Sequence, residues 1–161
     1  MKYIFIILFI AVLMFLQIGI LPHIKILGVY PNLILLAILS LAILIGWQKI
    51  IGWIIAGGLF LDIYSLNSFL GISIVVLLVV SYLAWFLSQN LFKKTDYFSI
   101  ILIFLAAIAI YQVLERIILK VLNIGFNYDL LPAIIGLVYN LIFAMPIFYI
   151  IKKYVAKFRK I

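Results

Sequence analysis

The chain has no cysteine, a single histidine, and only four acidic residues in 161 positions. Without cysteine there is no disulfide, no cysteine-bound zinc or iron–sulfur cluster, no thiol nucleophile and no lipoprotein-type anchor. His23 sits beside Pro22, and one histidine makes no metal site. The sequence also lacks a Gly-rich phosphate loop and a G-x-S-x-G nucleophile elbow. No catalytic residue, metal or cofactor is therefore expected, and the chain reads as a non-enzyme. Charge of either sign is scarce: 10% of residues are charged, against about 25% in soluble domains. Hydrophobic residues make up 70%, where roughly 45–50% is usual, and the mean hydropathy is +1.46. A soluble domain cannot hide that much apolar surface, so lipid is the expected solvent. Disorder and collagen are excluded by the same figures.

What is present is a series of long apolar runs. A membrane helix needs about 20 apolar residues, and six runs approach that length: 3–20, 31–46, 50–66, 69–92, 97–122 and 130–151. The first follows only Lys2 and lacks a small-residue cleavage site, so it is expected to remain as an uncleaved helix. Pro31 suits the first turn of the second helix. Gly46-Trp47-Gln48-Lys49 breaks the chain before the third, and Ser65-Leu66-Asn67-Ser68 reads as a turn. Lys93-Lys94-Thr95-Asp96 and the loop 123–129 separate the later runs. Membrane strands alternate in segments of about ten residues, and these runs do not. The expected fold is an all-α bundle of six transmembrane helices in a single transmembrane domain, with a basic cytoplasmic tail at 152–161.

The net charge of +8 would suggest nucleic acid as the partner of a soluble protein. Here the basic residues fall between and after the apolar runs, so they read as topology signals. Six spans place Lys2, Lys49, Lys93, Lys94, Lys152, Lys153, Lys157, Arg159 and Lys160 on one side. The other side has Lys25, with Arg116 and Lys120 at its margin. Both termini are therefore expected in the cytoplasm. Trp47, Trp53, Tyr97 and Tyr154 fit interfacial aromatic belts. The tail suits a positive-inside signal and would also attract anionic lipid.

Ionisable and amide side chains inside a bilayer each need a physical reason. By this topology Gln17, Asn32, Asp62, Glu115 and Arg116 gather toward the outer half of the bundle, and Asn140 lies near mid-span. Glu115 and Arg116 adjoin in sequence and point about 100° apart on a helix, so each needs a partner elsewhere; Asp62 and Arg116 match in charge and depth. Such polar groups fix helix register, form the contact site for a partner's transmembrane helix, or line a substrate or ion path. Gly57 and Gly58 expose backbone for close helix packing, and Gly58 shares a face with Asp62 one turn on.

Three stretches together resemble MreD, the small integral membrane subunit of the bacterial cell-elongation (rod-shape) machinery. They are Gln17-Ile18-Gly19-Ile20-Leu21-Pro22; Gly28-Val29-Tyr30-Pro31-Asn32-Leu33; and Gly57-Gly58-Leu59-Phe60-Leu61-Asp62 followed by Leu70-Gly71. The resemblance covers essentially the whole length. Asn32 departs from the family, which often carries Asp after that proline. The resemblance implies a non-enzymatic scaffold in the bacterial cytoplasmic membrane that binds MreC, a bitopic protein with a periplasmic domain. It further implies work alongside RodA, a class B penicillin-binding protein and MreB in peptidoglycan synthesis and cell shape. MreD-like proteins also look similar in architecture to the substrate-binding subunits of energy-coupling-factor vitamin transporters, which makes such a subunit the rival expectation. Those subunits typically carry Ala-x-x-x-Ala on helix one, whereas Ala11 here has Ile7 and Phe15 four residues away.

Overall fold

A computed structural model of the protein describes residues 4–64, 70–90, 96–122 and 130–159. The turn at Ser65–Ser68, the pair Lys93–Lys94, the loop 123–129, Lys2, Lys160 and the Arg159 side chain lie outside the described residues. The described chain is helical, with no strand: α1 (Ile4–Gly19), α2 (Leu33–Ile45), α3 (Ile51–Tyr64), α4 (Ile72–Asn90), α5 (Tyr97–Val121) and α6 (Leu130–Arg159). Short 3-10 turns at Leu21–His23 and Trp47–Ile50 lead out of α1 and into α3.

α2 is the axis of the bundle. Every residue from Leu33 to Ile43 is buried, as expected of a helix that is apolar on all sides. It packs against α6, α4, α1 and α3, while α5 closes the outside by packing on α4 and α6. Thirteen residues give a rod of only about 20 Å, shorter than the ~30 Å hydrocarbon core of a bilayer. Protein rather than lipid surrounds it. The periphery is inverted relative to a soluble domain. Large apolar side chains face outward at helical spacing, as with Val75, Val79, Tyr82 and Phe86 on α4 and Ile51, Ile55, Leu59 and Ile63 on α3. Outward apolar faces on several helices suit contact with lipid tails and would be a liability in water. α4, α5 and α6 are each long and apolar enough to cross a membrane, and α1 and α2 are shorter apolar helices.

Two boundaries differ from those read in the sequence. Pro31 precedes α2 rather than opening its first turn. Asn32 is the N-cap, and its Oδ1 accepts the Leu35 N–H at 3.0 Å, because a short polar side chain satisfies an end N–H that proline cannot. The residues assigned to a separate tail after Ile151 continue α6 as far as Arg159. Nothing in Lys152–Arg159 breaks a helix, since it contains neither glycine nor proline. Pro146, by contrast, lies inside α6, a placement membrane helices accommodate through neighbouring groups.

Between α1 and α2 the chain makes a tight turn in which Ile26 and Val29 exchange both backbone hydrogen bonds at 2.9 Å. Leu27 and Gly28 at its centre have φ of +48° and +82°, the pattern of a type I′ turn. Glycine reaches this region freely, but leucine is strained there. Leu27 is nevertheless exposed, as are Ile24 and Ile26.

Candidate functional site: a polar cavity at one end of the bundle

The buried N-terminus of α2 creates the first demand on the site. The first N–H groups of a helix have no partner within it, and burying them unpaired costs about 1–3 kcal/mol each. Three side chains answer this. Gln17, near the end of α1, accepts the Leu33 N–H through Oε1 at 2.9 Å. Asn140, on α6, accepts the Asn32 N–H through Oδ1 at 2.8 Å and donates through Nδ2 to the Gly136 carbonyl at 2.7 Å. Asn32 itself takes Leu35. Three amides from three helices thus cap one helix end and fix where α1, α2 and α6 meet.

The second demand comes from the α3–α4 junction. Asp62 is fully buried. Its Oδ2 accepts the Gly71 N–H at 2.6 Å and its Oδ1 the Ser73 N–H at 2.9 Å. A carboxylate at a helix start meets both the free N–H groups and the positive end of the helix dipole. Gly71, with φ +108°, makes a turn other residues resist. The close approach this requires falls on the paired glycines. A methyl group on Gly58 would sit 2.6 Å from Ile74 Cγ1, 2.7 Å from its Cα and 2.8 Å from its backbone nitrogen. On Gly57 it would meet Ile38 Cδ1 at 2.7 Å and Ile34 Cγ2 at 2.9 Å, both side-chain atoms of α2. Gly57 therefore seats α3 on α2, and Gly58 seats it on the α4 backbone.

Above these caps lies a cavity of about 330 Å³. Gln17, Asn32, Glu115, Arg116 and Asn140 line it, and Asp62 stands behind it through Ser73, which lines it too. The structure thus brings all six polar residues singled out in the sequence to one end of the bundle, opposite the end holding Lys49, Lys152, Lys153 and Lys157. It divides them by task. Gln17, Asn32, Asn140 and Asp62 are engaged with backbone N–H groups, whereas Glu115 and Arg116 present charge to the cavity. The Tyr111 hydroxyl donates to Glu115 Oε1 at 3.3 Å.

Sequence reasoning missed Tyr30, Tyr64, Ser73, Tyr111, Gln112 and Gly136, which also line the cavity. A signal for three of them was present in the spacing. Tyr111 and Gln112 precede Glu115 and Arg116 by one helical turn, and Gly136 precedes Asn140 by one turn, so each pair shares a face. Tyr30 and Tyr64 meet edge to face with ring centroids 6.5 Å apart. Burial, with the Tyr64 hydroxyl beside it, pushes Tyr30 up to about 12, so its phenol keeps its proton at neutral pH. Of the aromatics expected at membrane boundaries, Tyr97 and Tyr154 are exposed and Trp47 and Trp53 are half-buried. Trp47 meets the outward-facing Tyr82 edge to face at 5.4 Å, and Trp53 borders a small apolar gap between α1, α2 and α3.

Fold and site together define an all-α protein with helices suited to a membrane and a polar cavity at one end. Comparison with protein-family models, curated proteins and solved structures finds no match to the chain.

Proposed function

We propose that the chain is a non-enzymatic, MreD-type scaffold subunit of the bacterial cell-elongation complex. It sits in the cytoplasmic membrane as six spans with both termini inside, and binds MreC as part of an assembly with RodA, a class B penicillin-binding protein and MreB. One observation carries the reading: the stretches that resemble the family all contribute to the polar end, where the first two meet directly and the third closes on itself. Gln17, from the first, caps Leu33, from the second. Asp62 and Gly71, from the third, hydrogen-bond each other at 2.6 Å. Residues scattered over more than fifty positions therefore serve one local construction. On the positive-inside reading this end faces outward, where a bitopic partner's helix leaves the membrane. Partner helices in lipid associate through packing and polar contacts, not hydrophobic drive, and the rim of the cavity supplies both. The test is co-purification with MreC from membranes. Retention of MreC at full yield by variants at Glu115 and Arg116 would count against the outer contact.

The cavity itself favours a second reading, the substrate-binding subunit of an energy-coupling-factor-type transporter, because about 330 Å³ lies within the range of small-ligand pockets. That reading predicts a bound vitamin and an ATPase module in the purified complex in place of MreC.

A further inference from the structure

We propose that the cavity binds a neutral polyhydroxyl group, a sugar or polyol, held by the amide nitrogens of Gln17 and Asn32 and by the Glu115 carboxyl. Gln17 is only 2% exposed, and its Oε1 is spent on the Leu33 N–H. Asn32 spends its Oδ1 on the Leu35 N–H in the same way. A helix N-terminus offers only donors, so capping it uses the oxygen of each amide and leaves the NH2 group over. Among the described residues neither of these two nitrogens has an acceptor, and no fully enclosed side-chain nitrogen or oxygen lacks a partner. Gln17 Nε2 and Asn32 Nδ2 are therefore open to the cavity that both residues line. Glu115, on α5, supplies acceptors to the same space. A carboxyl group has about four lone-pair sites, and the Tyr111 hydroxyl takes one of them. A ligand must serve both kinds of group. An acyl chain leaves the N–H groups unpaired. An anion suits the N–H groups but meets the carboxyl oxygens, and a cation does the reverse. A hydroxyl serves both, since it accepts and donates, and a polyol carries several on neighbouring carbons. Tyr30 and Tyr64, edge to face at 6.5 Å, add ring surface with a polar tip, which matches the C–H faces and hydroxyl rim of a sugar. The proposal rests on the cavity alone, and its failure leaves the contact with MreC untouched. Two sources carry this chemistry, a free sugar or polyol and the glycosyl headgroup of a lipid.

The test uses the full chain in phosphatidylcholine nanodiscs, with thermal unfolding as the readout. Glucose, inositol and glycerol are added at equal millimolar concentration. Trimethylamine N-oxide, which has no hydroxyl, controls for the general exclusion of osmolytes from protein surfaces. A second set of discs contains monoglucosyl diacylglycerol, compared with discs holding plain diacylglycerol. Asn32→Ser retains a capping oxygen and lacks the NH2 group that reaches the cavity. A rise in Tm with at least one of the three polyols, larger than with trimethylamine N-oxide and reduced in Asn32→Ser, supports a soluble ligand. A rise confined to the glucosyl-lipid discs and reduced in Asn32→Ser supports the lipid source. No rise from either source, a rise equalled by trimethylamine N-oxide or plain diacylglycerol, or a rise undiminished in Asn32→Ser overturns the proposal. If Asn32→Ser does not fold, the unmodified protein decides through the same comparisons with trimethylamine N-oxide and plain diacylglycerol.

Discussion

Asp62 on α3 reaches Ser73 on α4, where its Oδ1 accepts the backbone N–H at 2.9 Å while Oδ2 takes Gly71 at 2.6 Å. A buried acid that looks like a candidate for ion transport or charge pairing thereby caps the start of the next helix. Asp62→Asn keeps the shape but has one acceptor oxygen in place of two, so one N–H loses its partner. A loss of about 1–3 kcal/mol is expected, read as a lower Tm in detergent, with Asp62→Ala losing more.

The caps on α2 predict a graded series. Asn32→Ser keeps a capping acceptor without adding a charge to the cavity and is expected to melt close to the unmodified protein. Asn32→Ala removes it at about 1 kcal/mol. Gln17→Leu strands the Leu33 N–H in the buried interface, and about 1–3 kcal/mol is expected. Equal melting of all three variants would show that the α2 terminus is satisfied in another way.

Gly57 and Gly58 separate by what each touches. A methyl on Gly57 meets side-chain ends of Ile34 and Ile38, which shift; on Gly58 it meets the Ile74 backbone, which moves only with α4. Gly58→Ala is therefore expected to cost more than Gly57→Ala, within the roughly 1–3 kcal/mol of overpacking. Thermal unfolding of the two variants side by side checks the order.

Leu27 holds φ +48° at an exposed turn. Leu27→Gly removes a strain of about 1–2 kcal/mol and is expected to raise Tm. If the apolar turn touches a partner, the same change lowers MreC recovery while Tm rises. Those opposite movements distinguish a contact from a structural residue.

Composition and run length are enough to read helices and apolar surroundings from the sequence, because lipid demands continuous apolar runs. The polar residues were also visible, since each stands out in so apolar a chain. Their tasks were not. That Gln17 caps Leu33, or Asp62 caps Ser73, depends on backbone groups, which every residue carries and no sequence pattern marks. The end of α2 was misread at Pro31 for the same reason: the capping side chain, not the ring, sets the boundary. The extension of α6 past Ile151 was missed because lysines read as a polar tail, although they continue a helix readily.

The outer-end contact with MreC is the central claim. Photo-crosslinkers placed on lipid-facing positions at the two ends of the bundle test it most directly: Ile18, Ile63 and Val121 toward the cavity end, and Leu8, Phe86 and Tyr149 toward the other. Crosslinks to MreC concentrated at Ile18, Ile63 and Val121 are the predicted result. A footprint confined to Leu8, Phe86 and Tyr149, or no MreC crosslink at any position, would contradict it.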